Sequence, residues 1–165
     1  MKQKRLDRNE FYDCIESPVG TIYLTFSGRT LTGVAFERPK GIPFRKTPNS
    51  SPAKTELTEY FEEGRRHFTC KTEFTEGTDF ERTVWNALSA VPYGETRTYK
   101  WMAEQVGRPH AFRAVGQALG KNPIAIVFPC HRIIESDGSL GGYSSGTDIK
   151  RRLLESEYYN RPSKS

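Results

Sequence analysis

The stretch YKWMAEQVGRPHAFRAVGQALG, residues 99–120, decides the architecture of the second half of this chain. Residues 99–106 read as a short helix ended near Gly107, Pro109-His110 interrupts the chain, and a second helix runs from about Ala111 to Leu119, closed by Gly120. Two short helices about such a break have the shape of a helix-turn-helix. On the second of them Ala111, Ala114, Gly116 and Ala118 are all small. Glycine in a helix costs about 1 kcal/mol relative to alanine, so a face this flat wants a reason. Either a partner's backbone approaches it closely, or another helix packs on it.

Downstream, Asn122-Pro123 leads into the apolar run Ile124-Ala125-Ile126-Val127-Phe128, which reads as a buried strand ending at Pro129-Cys130-His131-Arg132. A thiol attacks as thiolate, and a neighbouring imidazole or helix N-terminus lowers its pKa, whereas apolar surroundings do the reverse. Successive strand residues point to opposite faces, so Cys130 and His131 cooperate only if the chain bends at Pro129 or a water bridges them. For an arbitrary Cys-His pair the plain alternative is a small buried hydrophobe beside a satisfied histidine.

Upstream, Thr78-Asp79-Phe80-Glu81 is a capping-box pattern, followed by Phe80, Val84, Ala87, Leu88 and Val91 at helical spacing. Ile149, Leu153 and Leu154 predict a last helix, N-capped by Thr147 and running to about Glu157. In the first half, residues 11–37 alternate apolar and polar, with turn signals at Pro18-Val19-Gly20 and Ser27-Gly28-Arg29, predicting a three-stranded antiparallel meander. Residues 38–52 predict a mobile surface loop, residues 53–64 a helix closed by Gly64, and residues 71–77 a linker.

With 165 residues and 18.8 kDa the chain suits two small domains sharing a core: 1–76, 77–159 and a disordered tail at 160–165. Twenty-five Lys and Arg against 20 Asp and Glu, with a pI near 9.2, point modestly to a polyanionic partner. Three cysteines without a close pair fit no disulfide scaffold, and the charged start Met1-Lys2-Gln3-Lys4-Arg5 precedes no apolar stretch. A cytoplasmic protein without membrane association is expected.

Several motifs fall in order along residues 77–157: Gly77-Thr78, Phe80, Val84-Trp85, Val91-Pro92-Tyr93-Gly94-Glu95-Thr96, Thr98-Tyr99, Arg113-Ala114-Val115-Gly116 and Asn122-Pro123. Pro129-Cys130-His131-Arg132-Ile133-Ile134, Gly141-Gly142-Tyr143-Ser144 and Lys150 complete the set. Through these the chain resembles the O6-alkylguanine-DNA alkyltransferase family. Asp79 stands where many relatives have proline and Ile133 where many have valine. The resemblance implies an α+β protein with a small ribonuclease-H-like N-terminal domain of antiparallel sheet and a mostly helical, winged helix-turn-helix C-terminal domain. Some relatives carry a structural zinc in the N-terminal part. Cys14, His67, Cys70 and His110 include no repeated ligand pair, so no metal is expected here.

What the resemblance implies for function is direct-reversal DNA repair. An alkyl group passes from O6 of guanine, or more slowly O4 of thymine, in double-stranded DNA to Cys130, once per polypeptide, without a cofactor and by a monomer. The target base cannot reach a thiol while stacked, so the nucleotide is flipped. Arg113 matches the family's arginine finger, on a helix whose small Ala114 and Gly116 enter the minor groove. Tyr99 matches the residue at the target's phosphate and base edge, Tyr143-Ser144-Ser145 the pocket loop, with Ser144 near O6, and Asn122 the joint between recognition helix and active-site strand. His131, through a water, takes the thiol proton, and Glu157 orients and charge-stabilises the imidazole. Without the resemblance, Glu157 reads as an exposed helix-end carboxylate and Arg113 as a solvated arginine. Three rivals are a non-catalytic binder of alkylated DNA, against which Cys130 argues, a helix-turn-helix regulator, and a thiol hydrolase that turns over.

Overall fold

The computed structural model describes residues 9–48 and 51–160. The charged start and residues 161–165 of the expected tail lie outside them. The period-2 pattern of the first half folds as read: β1 (Glu10–Ser17), β2 (Gly20–Ser27) and β3 (Thr30–Ala35) pair antiparallel in the order β1-β2-β3. Gly20 and Gly28 take φ of 104° and 60° in the two tight turns, a conformation glycine adopts without steric cost. Phe11, Ile22, Leu24, Phe26, Leu31 and Val34 are buried on one side of this sheet, against Leu57 and Tyr60 of α1 (Pro52–Glu63). Gly64 ends α1 in the left-handed region at φ 70°.

The expected mobile loop is partly tied down. Phe44 bridges to Tyr12, and buried Thr47 donates both its N–H and its hydroxyl to Asp13 Oδ2, at 2.9 and 2.7 Å. An unpaired carboxylate on a half-buried strand face is costly, and Thr47 and Lys54 satisfy it. Residues 71–73 also pair, with Leu31, so this connection extends the sheet edge instead of hanging free.

The C-terminal domain begins at the capping box: Glu81 N–H donates to Thr78 Oγ1 and Thr78 N–H to Glu81 Oε1, starting α2 (Asp79–Ala87). Following Arg97–Thr98 (β4), α3 (Tyr99–Gln105) and α4 (Phe112–Gly120) form the helix-turn-helix, with Gly107 at φ 74° in the turn. Trp85 Nε1–H donates to Ala118 O at 2.6 Å, locking α2 onto α4. The short β5 (Ile133–Ile134) pairs parallel with β4. The last helix, α5 (Thr147–Asn160), begins at the predicted cap and extends through Asn160, a residue expected in the tail.

One expectation is overturned. Residues 124–128 form no strand: only Ile124 bridges to Val34, and the chain then turns, with Ile126 at φ 70°. The run is apolar because it is packed from every side. Ile124, Ala125 and Ile126 fill the core beneath the N-terminal sheet, whereas Cys130 and Ile133 belong to a second core with Val84, Met102 and Val115. Short apolar runs do not distinguish a buried strand from a buried turn.

Candidate active site

The connection between the two cores is held by one side chain. Asn122 Nδ2 donates to Phe128 O at 2.7 Å and its Oδ1 accepts from Ile124 N–H at 3.1 Å, closing the turns that precede the cysteine. A β-branched residue at positive φ is strained, and Ile126 sits inside this clamp. Cys130 then opens a 3-10 turn (Cys130–Arg132), so the chain does bend at Pro129.

Cys130 is 8 % exposed and reaches a pocket of about 470 Å³ bounded by Tyr99, Arg113, Gly116, Gly142, Tyr143 and Ser144. Burial pushes its thiol pKa up, while hydrogen bonding with Asn122 and Tyr143 and the Lys150 charge pull it back. The Tyr143 hydroxyl is buried and completes no hydrogen bond of ordinary geometry among the described residues, yet it faces the sulfur closely enough to feel its charge. Its own pKa is raised well above the usual phenol value, first by burial, so it stays a proton donor.

His131 points away into the protein and is fully buried. Its Nε2 lies 2.6 Å from Glu157 Oε2. Burial would raise the Glu157 pKa, but hydrogen bonds from His131 and Arg132 and the Arg132 charge hold it well below the usual carboxylate range. An ionised carboxylate only accepts, so the proton of the neutral imidazole sits on Nε2 and leaves Nδ1 as a lone pair. Burial lowers the His131 pKa and favours that neutral form. Nδ1 is buried and has no partner among the described residues, which makes it a free base.

Glu157 is not the exposed carboxylate that its helix-end position suggests. It also accepts from Arg132 Nε at 2.8 Å and Nη2 at 3.1 Å, from Tyr60 Oη at 2.5 Å, and from Gly94 N–H at 3.1 Å. Arg132 Nη1 donates to Val91 O at 2.8 Å.

The pocket loop is organised by Lys150, fully buried on α5. Its ammonium donates to Ile133 O at 2.6 Å, to Leu140 O, and to Gly142 O at 3.2 Å. Desolvation brings its pKa down to about 8. Gly141, at φ 70°, packs so tightly that a Cβ there would come 2.9 Å from Tyr99 Oη. Tyr99, at the start of α3, and Tyr143, in the loop before α5, thus both reach the pocket.

On α4, Arg113 and Ala114 are exposed, and a Cβ on Gly116 would meet nothing within 4 Å. The flat face is therefore open, which removes helix packing as its explanation; the small residue that does pack is Ala118. Arg113, Gly116, Tyr99, Tyr143, Ser144 and Cys130 share the pocket, whereas Ala114 and Ser145 are not part of its lining. His131, Glu157 and Asn122 stand behind it. Sequence reasoning misses the roles of Tyr60, Arg132 and Lys150. Arg132 and Lys150 are visible as motif members, but nothing local signals that a tyrosine on α1 reaches Glu157.

Comparison with known proteins gives two family matches. Residues 11–76 match the family model described as 6-O-methylguanine DNA methyltransferase, ribonuclease-like domain, and residues 79–159 match 6-O-methylguanine DNA methyltransferase, DNA binding domain. A methylated-DNA–protein-cysteine methyltransferase of Methanosarcina barkeri is 47 % identical over 156 residues, covering 91 % of this chain and 98 % of that protein. The crystal structure of Mycobacterium tuberculosis O6-methylguanine methyltransferase superposes with a TM-score of 0.83 at 41 % identity, covering 93 % of this chain and 96 % of that one. A structure of Mycobacterium tuberculosis OGT in complex with DNA gives 0.82 at 41 % identity, with the same coverage of both chains.

Proposed function

The chain belongs to the 6-O-methylguanine DNA methyltransferase family and works in DNA alkyl repair as a methylated-DNA–protein-cysteine methyltransferase; from this premise we propose that Cys130 is the acceptor and the pocket before it the site of a flipped, O6-alkylated guanine. The observation that carries the reading is a buried thiol at a pocket beside the open face of the helix-turn-helix, with a charge-held base next to it in sequence.

Duplex DNA lies along α4, where Ala114 and Gly116 let the backbone approach and Arg113 fills the space left by the extruded nucleotide. Tyr99, Tyr143 and Ser144 surround the base. A water carries the thiol proton of Cys130 to His131 Nδ1, and the imidazolium so formed is stabilised through Nε2 by Glu157. The thiolate attacks the alkyl carbon, the S–C bond forms as the C–O6 bond breaks, and guanine leaves with the bonding pair and takes up one proton. The Lys150 charge and the Tyr143 hydroxyl stabilise the thiolate that burial disfavours. A thioether has no easy route back to a thiol, so each polypeptide reacts once; O4-alkylthymine is a slower substrate of the same pocket.

Intact mass after incubation with O6-methylguanine DNA tests the reading. One added methyl, mapped to Cys130, is expected. An unchanged mass would leave a non-catalytic binder, and catalytic turnover without a retained methyl would leave a hydrolase.

A further inference from the structure

Tyr60 stands on α1 in the N-terminal domain, 97 residues from the carboxylate it touches. Its ring is 1 % exposed and caged by Phe61, Phe68 and Tyr93, at centroid separations of 4.9, 6.0 and 5.8 Å. A phenylalanine would suit such a cage, and a hydroxyl buried in it is costly unless bonded. The hydroxyl donates to Glu157 Oε2, the oxygen that His131 Nε2 also uses.

We propose that Tyr60 is a positioning residue for alkyl transfer: its hydroxyl pins Glu157 Oε2 and, by sharing that oxygen with the imidazole, sets how firmly the carboxylate supports a proton on His131. The inference deepens the reading of Cys130 as acceptor and rests on it. A donor to a carboxylate stabilises the anion and draws off its electron density, so less is left for the imidazolium. Burial and the Glu157 charge raise the Tyr60 pKa far above the ordinary value, which keeps the phenol a donor at every working pH. The other groups around the pair are Arg132, which bonds Glu157 from the 3-10 turn, and Lys150, whose charge reaches His131 from α5. Tyr93 packs edge-to-face against Tyr60 and feels the Glu157 charge, and Arg66 lies over the Tyr93 ring. Arg132 Nη2 also reaches Oε2, at 3.1 Å, a longer bond than the 2.5 Å one from Tyr60.

The experiment follows carboxamidomethylation of Cys130 by iodoacetamide against pH in the full chain, with Cys14 and Cys70 separated by peptide mapping. Tyr60→Phe keeps the ring and removes the hydroxyl; His131 becomes more basic, and the acid limb of the profile moves up by about half a pH unit or more. 3-Fluorotyrosine at position 60, a stronger donor of nearly the same shape, moves the limb down. Phe68→Leu loosens the cage without touching the hydroxyl and leaves the limb in place. An unmoved limb in Tyr60→Phe, or an equal shift in Phe68→Leu, overturns the proposal. Should Tyr60→Phe not fold, the direction of the fluorotyrosine shift decides. Methyl transfer by the unmodified chain is measured alongside: its absence defeats the acceptor reading, whereas transfer with an unmoved limb defeats the role of Tyr60 alone.

Discussion

A thiol whose pKa is pushed up by burial, as that of Cys130 is, reacts only if another group takes its proton. Cys130→Ser should therefore abolish methyl gain by intact mass while DNA affinity, measured by fluorescence anisotropy, stays near that of the unmodified chain. His131→Ala should leave a slow reaction that recovers as the pH approaches the thiol's own pKa. Glu157→Gln should act in the same direction more mildly, and the double variant should be little slower than His131→Ala, because groups acting as a unit are non-additive. Multiplying losses without recovery at high pH would show two independent roles. Glu157→Gln carries a further cost. It leaves Arg132 buried beside a neutral amide, and breaking a buried pair costs about 3–5 kcal/mol, so the melting temperature should fall markedly. The acid and the histidine are legible in the sequence through the resemblance, but the burial of Glu157 is not, since its partners come from α1, from Gly94 and from the 3-10 turn.

The helix α4 offers a test in which stability and function part. Gly116 has helical backbone and open space at its Cβ, so Gly116→Ala should stabilise the fold by about 0.5–1 kcal/mol. If the flat face exists for DNA, the same variant should bind duplex DNA less tightly and lose more on duplex than on free O6-benzylguanine, which needs no groove. Arg113→Ala should likewise impair repair of duplex more than reaction with the free base; equal losses would give Arg113 a role in holding the base and none in extruding it. Elements with clear periodicity, the meander and the helix-turn-helix, are legible in the order of their apolar residues and turn formers. Residues 124–128 are not, because their apolarity reflects packing in a turn that Asn122 clamps from the side. Thr47 is hidden for a similar reason, as its partner Asp13 lies on a distant strand.

Across the whole molecule, acid should unfold the protein in two stages. His131 is held neutral, with a folded pKa below its ordinary 6.5, so the unfolded chain binds the extra proton first and stability falls as pH drops through about 6.5. The depressed carboxylates Asp13, Glu56 and Glu157 contribute stability that is present above their ordinary values of 3.8, 4.5 and 4.5 and is lost as pH falls below them. Melting temperature followed against pH should show both declines, and a profile flat down to the carboxylate range would mean that His131 is not kept neutral. DNA affinity should fall with salt at a log-log slope of roughly −0.9 per phosphate neutralised, with little preference for base sequence.

The core beneath the N-terminal sheet is finished by Tyr93, Ile124, Ala125, Ile126 and Leu153, all from the other half of the chain. Cut between residues 76 and 77, the polypeptide gives two fragments, and the first lacks the side chains that would close its own interior. The first piece should show no cooperative melt alone, and mixing it with the second, whose own core is built from its own residues, should restore one and raise methyl uptake. That makes the molecule a natural two-part switch: fused to a pair of interacting proteins, its halves would write a permanent covalent record on Cys130 of each encounter that brought them together.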